Sequence, residues 1–386
     1  MNFSKRISNL VLLGRCLAHA FFYGRADKVP KSISRIIVIP AGKLGDVVST
    51  TPVLAAVRRH FPNARIIVAG ENYKLLEPLL ANSGLVDEYY SNEVKADVAL
   101  LTGLSFEMAA PLYLSGISLV VTPEVLGGFS PQNTRPYMIL KKFLKTYPYH
   151  IGEYAPRERL RCLESLGIIE DDTTKCLGFS KVALESIEKY FEAGEFTVGI
   201  TPTAGHKIKE WPEERFAQVA DYLILRYKAK VIIVGGPKDD EKIKKTLGFM
   251  KEKTRTLSTT DLNLDELKAL TSKLNLFISV DTGPIYIAEA FDVPTIDITG
   301  PIDEKNMWKE PGFINGGMFK RGGMFPITGP TVAVIVPDLK EALEKVKAEG
   351  GTLVTDIMPI GEMGLYAYVK DTEGNIIGVW QDLKKA

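Results

Sequence analysis

Cysteine is scarce in this 386-residue chain: Cys16, Cys162 and Cys176 are all there is, and no two form a close Cys-x-x-Cys pair. That excludes a disulfide framework, argues against a structural zinc site, and points to a reducing compartment. An excess of either charge is also lacking. The 48 Lys and Arg residues are balanced by 47 Asp and Glu, leaving a net charge of +1, so no global field draws the chain to nucleic acid. No run approaches the ~20 apolar residues that span a bilayer. What is present is an ordinary globular composition, 45% hydrophobic and 25% charged, which rules out wholesale disorder. At roughly 100–200 residues per domain, the length suggests two or three domains.

Residues 1–33 stand apart. They carry Lys5, Arg6, Arg15, Arg25, Lys28 and Lys31 against a single acid, Asp27, with Ile7, Leu10, Val11, Leu12, Leu13, Leu17, Phe21, Phe22 and Tyr23 between them. Two readings fit: a basic amphipathic helix on an anionic membrane surface, or a helix packed on the following domain with its charges in water.

From residue 34 the pattern is βαβ. Ser34–Pro40 is a short β-branched run of the buried parallel-strand type. It is followed by the loop Ala41-Gly42-Lys43-Leu44-Gly45-Asp46, a periodic helical stretch from Val47 to His60, and a strand at Ile66–Ala69. Ligands of open α/β sheets sit at the carboxyl ends of the strands, where this loop lies. Gly42 and Gly45 permit close backbone approach, beside Lys43. Asp46 has two readings at this point, a helix N-cap or a base that takes a proton from a hydroxyl in the cleft.

The pattern begins again after a polar stretch, 171–195, read as a linker and a helix over Lys181–Ala193. Strands are expected at Phe196–Ile200, Val231–Val234, Phe277–Val280 and Thr295–Ile298, each ending in a turn or glycine loop, with a long helix from Glu213 to Tyr227. That is a second doubly wound domain. Its loops suit a diphosphate: Thr201 and Thr203 offer hydroxyls and amides, Lys209 a point charge, and Asp281-Thr282-Gly283-Pro284 leads into a helix N-terminus. Taken singly, Lys209 also reads as a surface lysine and Thr282-Gly283-Pro284 as a mere helix start. Asp239 and Asp240 read as a solvated helix start, and no metal or other cofactor is expected.

The run Gly42-Lys43-Leu44-Gly45-Asp46-Val47-Val48-Ser49-Thr50-Thr51-Pro52 resembles the N-terminal motif of the heptosyltransferase-like glycosyltransferases, glycosyltransferase family nine. Arg58–Ala64, Ala96–Leu101 and Glu153–Ile168 are similar to further stretches of that family. Lys209-Glu210-Trp211-Pro212 matches its lysine-x-tryptophan-proline motif, and Ser279–Pro284 its aspartate-threonine-glycine-proline loop. Gly235-Gly236-Pro237, with Asp239–Glu241, matches the loop after the second strand. The likeness spans roughly residues 34–303. It implies the GT-B architecture, an α/β pair of doubly wound Rossmann-type domains facing a cleft. It implies Asp46 as general base, Lys209 at the donor phosphates, and Asp281, Thr282, Gly283 and Pro284 around the diphosphate. Two positions depart from the family: Tyr286 stands where histidine is usual, and Glu289 where small residues are.

Beyond residue 306 the character changes. Thr331–Val336, a helix from Asp338 to Glu349, Thr352–Thr355, and a hairpin of Leu365–Lys370 with Asn375–Trp380 give the order βαβββ. This resembles the C-terminal part of a glyoxalase/bleomycin-resistance (vicinal-oxygen-chelate) domain, with one strand of the missing half expected around Ile314. The positions of the metal ligands in that family fall at Thr331 and Gln381, a set that does not imply metal chemistry. An α+β half-module would pair with a second chain as a homodimer, or pack on the transferase part.

The expected layout is therefore 1–33 basic segment, 34–170 acceptor-side domain, 171–195 linker and helix, 196–305 nucleotide-sugar domain, and 306–386 half-module. The resemblance implies an inverting, metal-independent glycosyltransferase. Its donor would be a nucleotide-diphospho-sugar, ADP-heptose first, and its acceptor a lipid-linked lipopolysaccharide-core glycan. Nucleic acid is not an expected partner. A cytoplasmic place, peripheral on the inner face of the membrane through residues 1–33, follows from such an acceptor. The alternative is a catalytically impaired nucleotide-binding or scaffold protein carrying a small-molecule-binding module.

Overall fold

Residues 3–382 are described by the computed structural model, apart from 71, 91–94, 129, 206–208, 300–332, 361–363 and 373. The expected readings around Ile314 and at Thr331 lie outside the described residues. The chain divides into two compact units, one spanning Met1–Ile298 and the other holding the elements from Ala333 onward.

In the first unit, the aliphatic run Arg35–Ile39 forms β1, the centre of a six-stranded parallel sheet. Its neighbours are β2 (Arg65–Ala69) and β4 (Val98–Leu101), with β3 (Glu88–Tyr90), β5 (Leu119–Leu126) and β6 (Lys145–His150) outside them in the order β3-β2-β1-β4-β5-β6. Side chains alternate across a strand. Ile36 and Val38 accordingly join one core with α3 (Thr51–His60), while Ile37 and Ile39 join another with α1 (Phe3–Tyr23), α5 (Phe106–Leu114) and α6 (Arg135–Leu140). Both faces of the sheet are covered, which is why its strands are apolar throughout rather than alternating.

The expected helix over 47–60 is two helices. α2 (Leu44–Val48) ends where the Thr50 hydroxyl donates to the Asp46 carbonyl (2.8 Å) and the Thr51 hydroxyl to Val48 O (2.7 Å). Such hydroxyls compete for helical carbonyls, and Pro52, in the first turn of α3, suits a fresh start. The first half also holds α4 (Tyr73–Leu80) and α7 (Ala155–Leu160).

After the linker, α8 (Lys181–Ile187) is shorter than expected, giving way to a 3₁₀ turn at Glu188–Tyr190. A second all-parallel sheet follows in the order β11-β10-β7-β8-β9. Its strands are β7 (Thr197–Thr201), β8 (Lys230–Val234), β9 (Thr256–Thr259), β10 (Leu276–Val280) and β11 (Thr295–Ile298). The helices are α9 (Glu213–Tyr227), α10 (Asp240–Phe249), α11 (Leu264–Ser272) and α12 (Gly283–Ala290). β9 went unforeseen because Thr-Leu-Ser-Thr is an edge strand with little apolar signal. Its helix α11 starts with a capping box between Asn263 and Glu266.

The second unit holds β12 (Ala333–Ile335), α13 (Leu339–Ala348), β13 (Thr352–Leu353), β14 (Met358–Ile360), β15 (Gly364–Lys370) and β16 (Ile376–Asp382). β15 and β16 form the expected hairpin. Asp371 accepts from the Asn375 amide (2.7 Å) at its turn, and Gly374 takes a φ of +91°, a value glycine adopts without strain. β12 pairs with β16 in parallel, and β13 and β14 both pair with β15. Leu339, Leu343, Ala367, Val369 and Val379 form its own small core.

Candidate active site

Asp46 sits in the first turn of α2, but not as a cap. The residue at the N-cap position is Lys43, which makes no capping bond. The Asp46 carboxylate is instead gripped by Arg159 of α7, whose Nη2 donates to Oδ1 at 2.6 Å and whose Nη1 reaches the Asp46 carbonyl. The pair is lopsided: the Arg159 side chain is 4% exposed and that of Asp46 is 36% exposed. Burial works against the Arg159 charge. The Asp46 carboxylate and the nearby Tyr149 and Tyr147 more than offset it, holding the guanidinium above its ordinary pKa.

This ion pair lies on the wall of a cavity of about 530 Å³ at the carboxyl ends of the first sheet's strands. Gly42, Lys43, Asp46, Thr102, Glu107 and Arg159 line it among others. Gly42 has open space around it, as a ligand-facing glycine requires. Gly45 does not. A Cβ there would lie 2.7 Å from the Tyr286 ring, so its missing side chain admits a neighbouring helix rather than a ligand.

That neighbour is α12 of the second sheet. A Cβ on Gly283 would come within 3.1 Å of Leu44, so α2 and α12 meet at their N-terminal ends. The two halves are tied elsewhere as well. Lys268 of α11, fully buried, donates to the carbonyls of Leu79 and Ala81 (both 3.2 Å) at the end of α4 and pairs with Asp265 at 3.1 Å. Burial lowers its pKa. In the linker, Lys175 pairs with Glu289 (3.0 Å) and donates to the Tyr154 hydroxyl (2.8 Å). Thus both departures from the family pattern have partners: Tyr286 packs on Gly45, and Glu289 is neutralised by Lys175.

The donor-side residues fall together at the carboxyl ends of the second sheet. Lys209 is ion-paired with Asp281, each side chain 26% exposed, and the Tyr286 hydroxyl donates weakly to the other Asp281 oxygen (3.5 Å). Thr282 occupies the N-cap position of α12 without a side-chain capping bond, and Pro284 lies in its first turn. Thr201 and Thr203 are buried, and the Thr201 hydroxyl has no hydrogen-bond partner among the described residues. Asp239 accepts from the Gly236 amide (2.8 Å) and so fixes its own loop. Among the described residues no three His, Cys, Asp or Glu side chains are grouped to hold a metal ion. Gln381, one of the positions compared with metal ligands, accepts from the Leu339 amide at the start of α13 (2.7 Å).

Sequence reasoning missed Asp297. Burial first, then the negative charges of Asp281 and Glu289, push its pKa up to about 7, with Lys209 pulling the other way, and its buried Oδ1 has no partner among the described residues. A carboxyl raised in the folded state binds protons that the unfolded chain has released. Its contribution to stability is present at low pH and is lost as pH climbs from about 4 to about 7. Asp297→Asn is expected to flatten that fall, stabilising the protein at pH 8 by on the order of 1–2 kcal/mol. Melting curves at pH 5 and pH 8 check this; equal wild-type and variant slopes would refute it.

Residues 146–309 match the profile of glycosyltransferase family 9 (heptosyltransferase). The enzyme class expected from its motifs, a glycosyltransferase, is therefore borne out. Lipopolysaccharide heptosyltransferase 3 of Escherichia coli K12 is 25% identical over 285 residues, 67% of this chain and 80% of that protein. Two solved structures share the fold at a TM-score of 0.57. One is a family 9 glycosyltransferase from Veillonella parvula, 20% identical, covering 68% of this chain and 80% of that one. The other is E. coli ADP-heptose lipopolysaccharide heptosyltransferase II, 17% identical, covering 70% and 86%. The two parallel Rossmann-like sheets thus have the same fold as these solved structures.

Proposed function

We propose that the protein transfers heptose from a nucleotide-diphospho-sugar, ADP-heptose first among them, to a lipopolysaccharide-core acceptor, with inversion. The observation that carries this reading is the Asp46 carboxylate on the wall of the cavity, oriented by Arg159 at 2.6 Å, on a helix that abuts the α12 loop. Asp46 takes the proton of an acceptor hydroxyl. The hydroxyl oxygen forms its bond to the anomeric carbon as the bond to the diphosphate oxygen breaks, and the electron pair leaves with the nucleoside diphosphate. Lys209, exchanging Asp281 for phosphate oxygens, and the amides at the start of α12 stabilise that leaving charge. No metal is needed where a lysine and a helix N-terminus do this work.

The domain layout proposed with it is 34–170 for the acceptor and 196–305 for the donor, with Gly42 and Lys43 on the acceptor side. For residues 306–386 we favour a vicinal-oxygen-chelate half-module, supported by the β12-α13-β13 start and the β15-β16 hairpin. Mass measurement of the full chain by light scattering would show whether it pairs two protomers.

Thermal shifts with ADP, UDP, GDP and CDP test the donor side. A nucleotide at about 100 times its Kd stabilises by about 2.7 kcal/mol. The expected result is a shift with ADP that Lys209→Ala abolishes. No shift with any of the four would sink the transferase reading; a shift with another nucleotide would remove heptose from it.

A further inference from the structure

α1 presents two apolar faces, and only one is covered. Asn9, Leu13 and Cys16 are buried against α5 and α6. At helical spacing on the opposite side, Ile7, Leu10, Val11, Leu17, Phe21 and Phe22 are exposed, Leu10 at 64% and Phe21 at 85%. Gly14, on the same side, has no atom within 4 Å of where its Cβ would be. A contiguous apolar stripe of this length is not left to water without a purpose.

The charges around the stripe say what covers it. Helix α1 contains no acidic residue. The one acid in residues 1–33, Asp27, is paired with Arg25 at 2.7 Å. Arg15, Lys28 and Lys31 are exposed. Beside the end of α1 lies a cavity of about 560 Å³ lined by His19, Tyr23, Arg25, Lys28, Tyr113 and others, with no carboxylate among them. A second copy of α1 would bring cation against cation, whereas an anionic lipid surface complements both the stripe and its basic end. No helix among the described residues is long and apolar enough to cross a membrane.

We infer that α1 lies in the plane of an anionic bilayer, its Leu10–Phe21 face among the acyl chains and Lys28 and Lys31 at the phosphates. The helix is also joined to the cavity of the candidate site: Asn9 Nδ2 donates to Glu107 Oε1 (3.0 Å), and Glu107 lines the space that Asp46 faces. A lipid-linked molecule would reach that cavity from a surface the protein already sits on. The docking inference itself stands whether or not the chain transfers heptose.

The test is co-sedimentation of the full-length protein with phosphatidylcholine vesicles and with vesicles containing a quarter phosphatidylglycerol, at physiological salt. Binding several-fold stronger to the anionic vesicles is expected. Leu17→Asp/Phe21→Asp should lose it at least tenfold, and Lys28→Glu/Lys31→Glu several-fold, while melting temperature and nucleotide shifts stay those of the parent. Equal binding to both vesicles, or full binding by either double variant, would overturn the inference. So would a dimer in solution that Leu17→Asp/Phe21→Asp converts to monomer, since the stripe would then belong to a second copy.

Discussion

Asp46→Asn should lower kcat by about 10²–10⁴-fold, the range that a positioned general base contributes. The substitution is chosen to isolate proton removal. An amide oxygen at the same place still accepts from Arg159, which holds Oδ1 at 2.6 Å in the parent, so the loop and cavity keep their shape. What is lost is only a group able to take the acceptor proton. Donor binding is made by Lys209 and the α12 loop and does not pass through the carboxylate, so the ADP-induced thermal shift should survive. The apparent KM for donor should stay within about threefold, the signature of an interaction made only in the transition state. Release of nucleoside diphosphate in the presence of acceptor is the measurement. A variant within fivefold of the parent would remove Asp46 from the base role, and one that also lost the nucleotide shift would show a damaged fold instead.

Why Asp46 could be singled out from sequence, while its partner could not, follows from how each is specified. The strand, glycine loop and helix around Asp46 are contiguous, so hydrophobic periodicity and loop position locate it at a strand's carboxyl end. Lys209 and Asp281 were legible for the same reason: each ends or follows a buried aliphatic strand. Arg159 is 113 positions away from Asp46, and nothing in its neighbourhood marks it as more than a residue of a short amphipathic helix. The links Lys268 to the end of α4 and Lys175 to Glu289 are of this kind too, set by how two separately legible sheets come together. Gly45 was read as a site of close approach, and the approach of Tyr286 to it is visible only in the packed structure. Among the strands that escaped notice, β3, β6 and β9 lie at sheet edges, where alternation and aliphatic density fade, whereas β5 is an interior strand whose aliphatic start is interrupted by Pro123.

The unequal burial of the Asp46–Arg159 pair sets a second large effect, on stability. In Asp46→Ala the buried guanidinium loses its carboxylate while its Nε already lacks a partner. Stranding a buried charge costs about 3–5 kcal/mol, and the half-exposed edge of the site puts the expected loss near about 3 kcal/mol. Arg159→Met is the converse. It removes the charge that is costly to bury and leaves Asp46, 36% exposed, to be hydrated by the cavity, so its loss should be about 1 kcal/mol or less. Activity should nevertheless fall as far in Arg159→Met as in Asp46→Asn, because a hydrated carboxylate is no longer held at one orientation. The double variant Asp46→Ala/Arg159→Met should recover most of the stability lost in Asp46→Ala, a coupling that only a direct pair produces. Urea unfolding of the four proteins measures it. Additive losses would mean that Arg159 is held by its apolar surroundings alone, and the orientation of the base would then need another source.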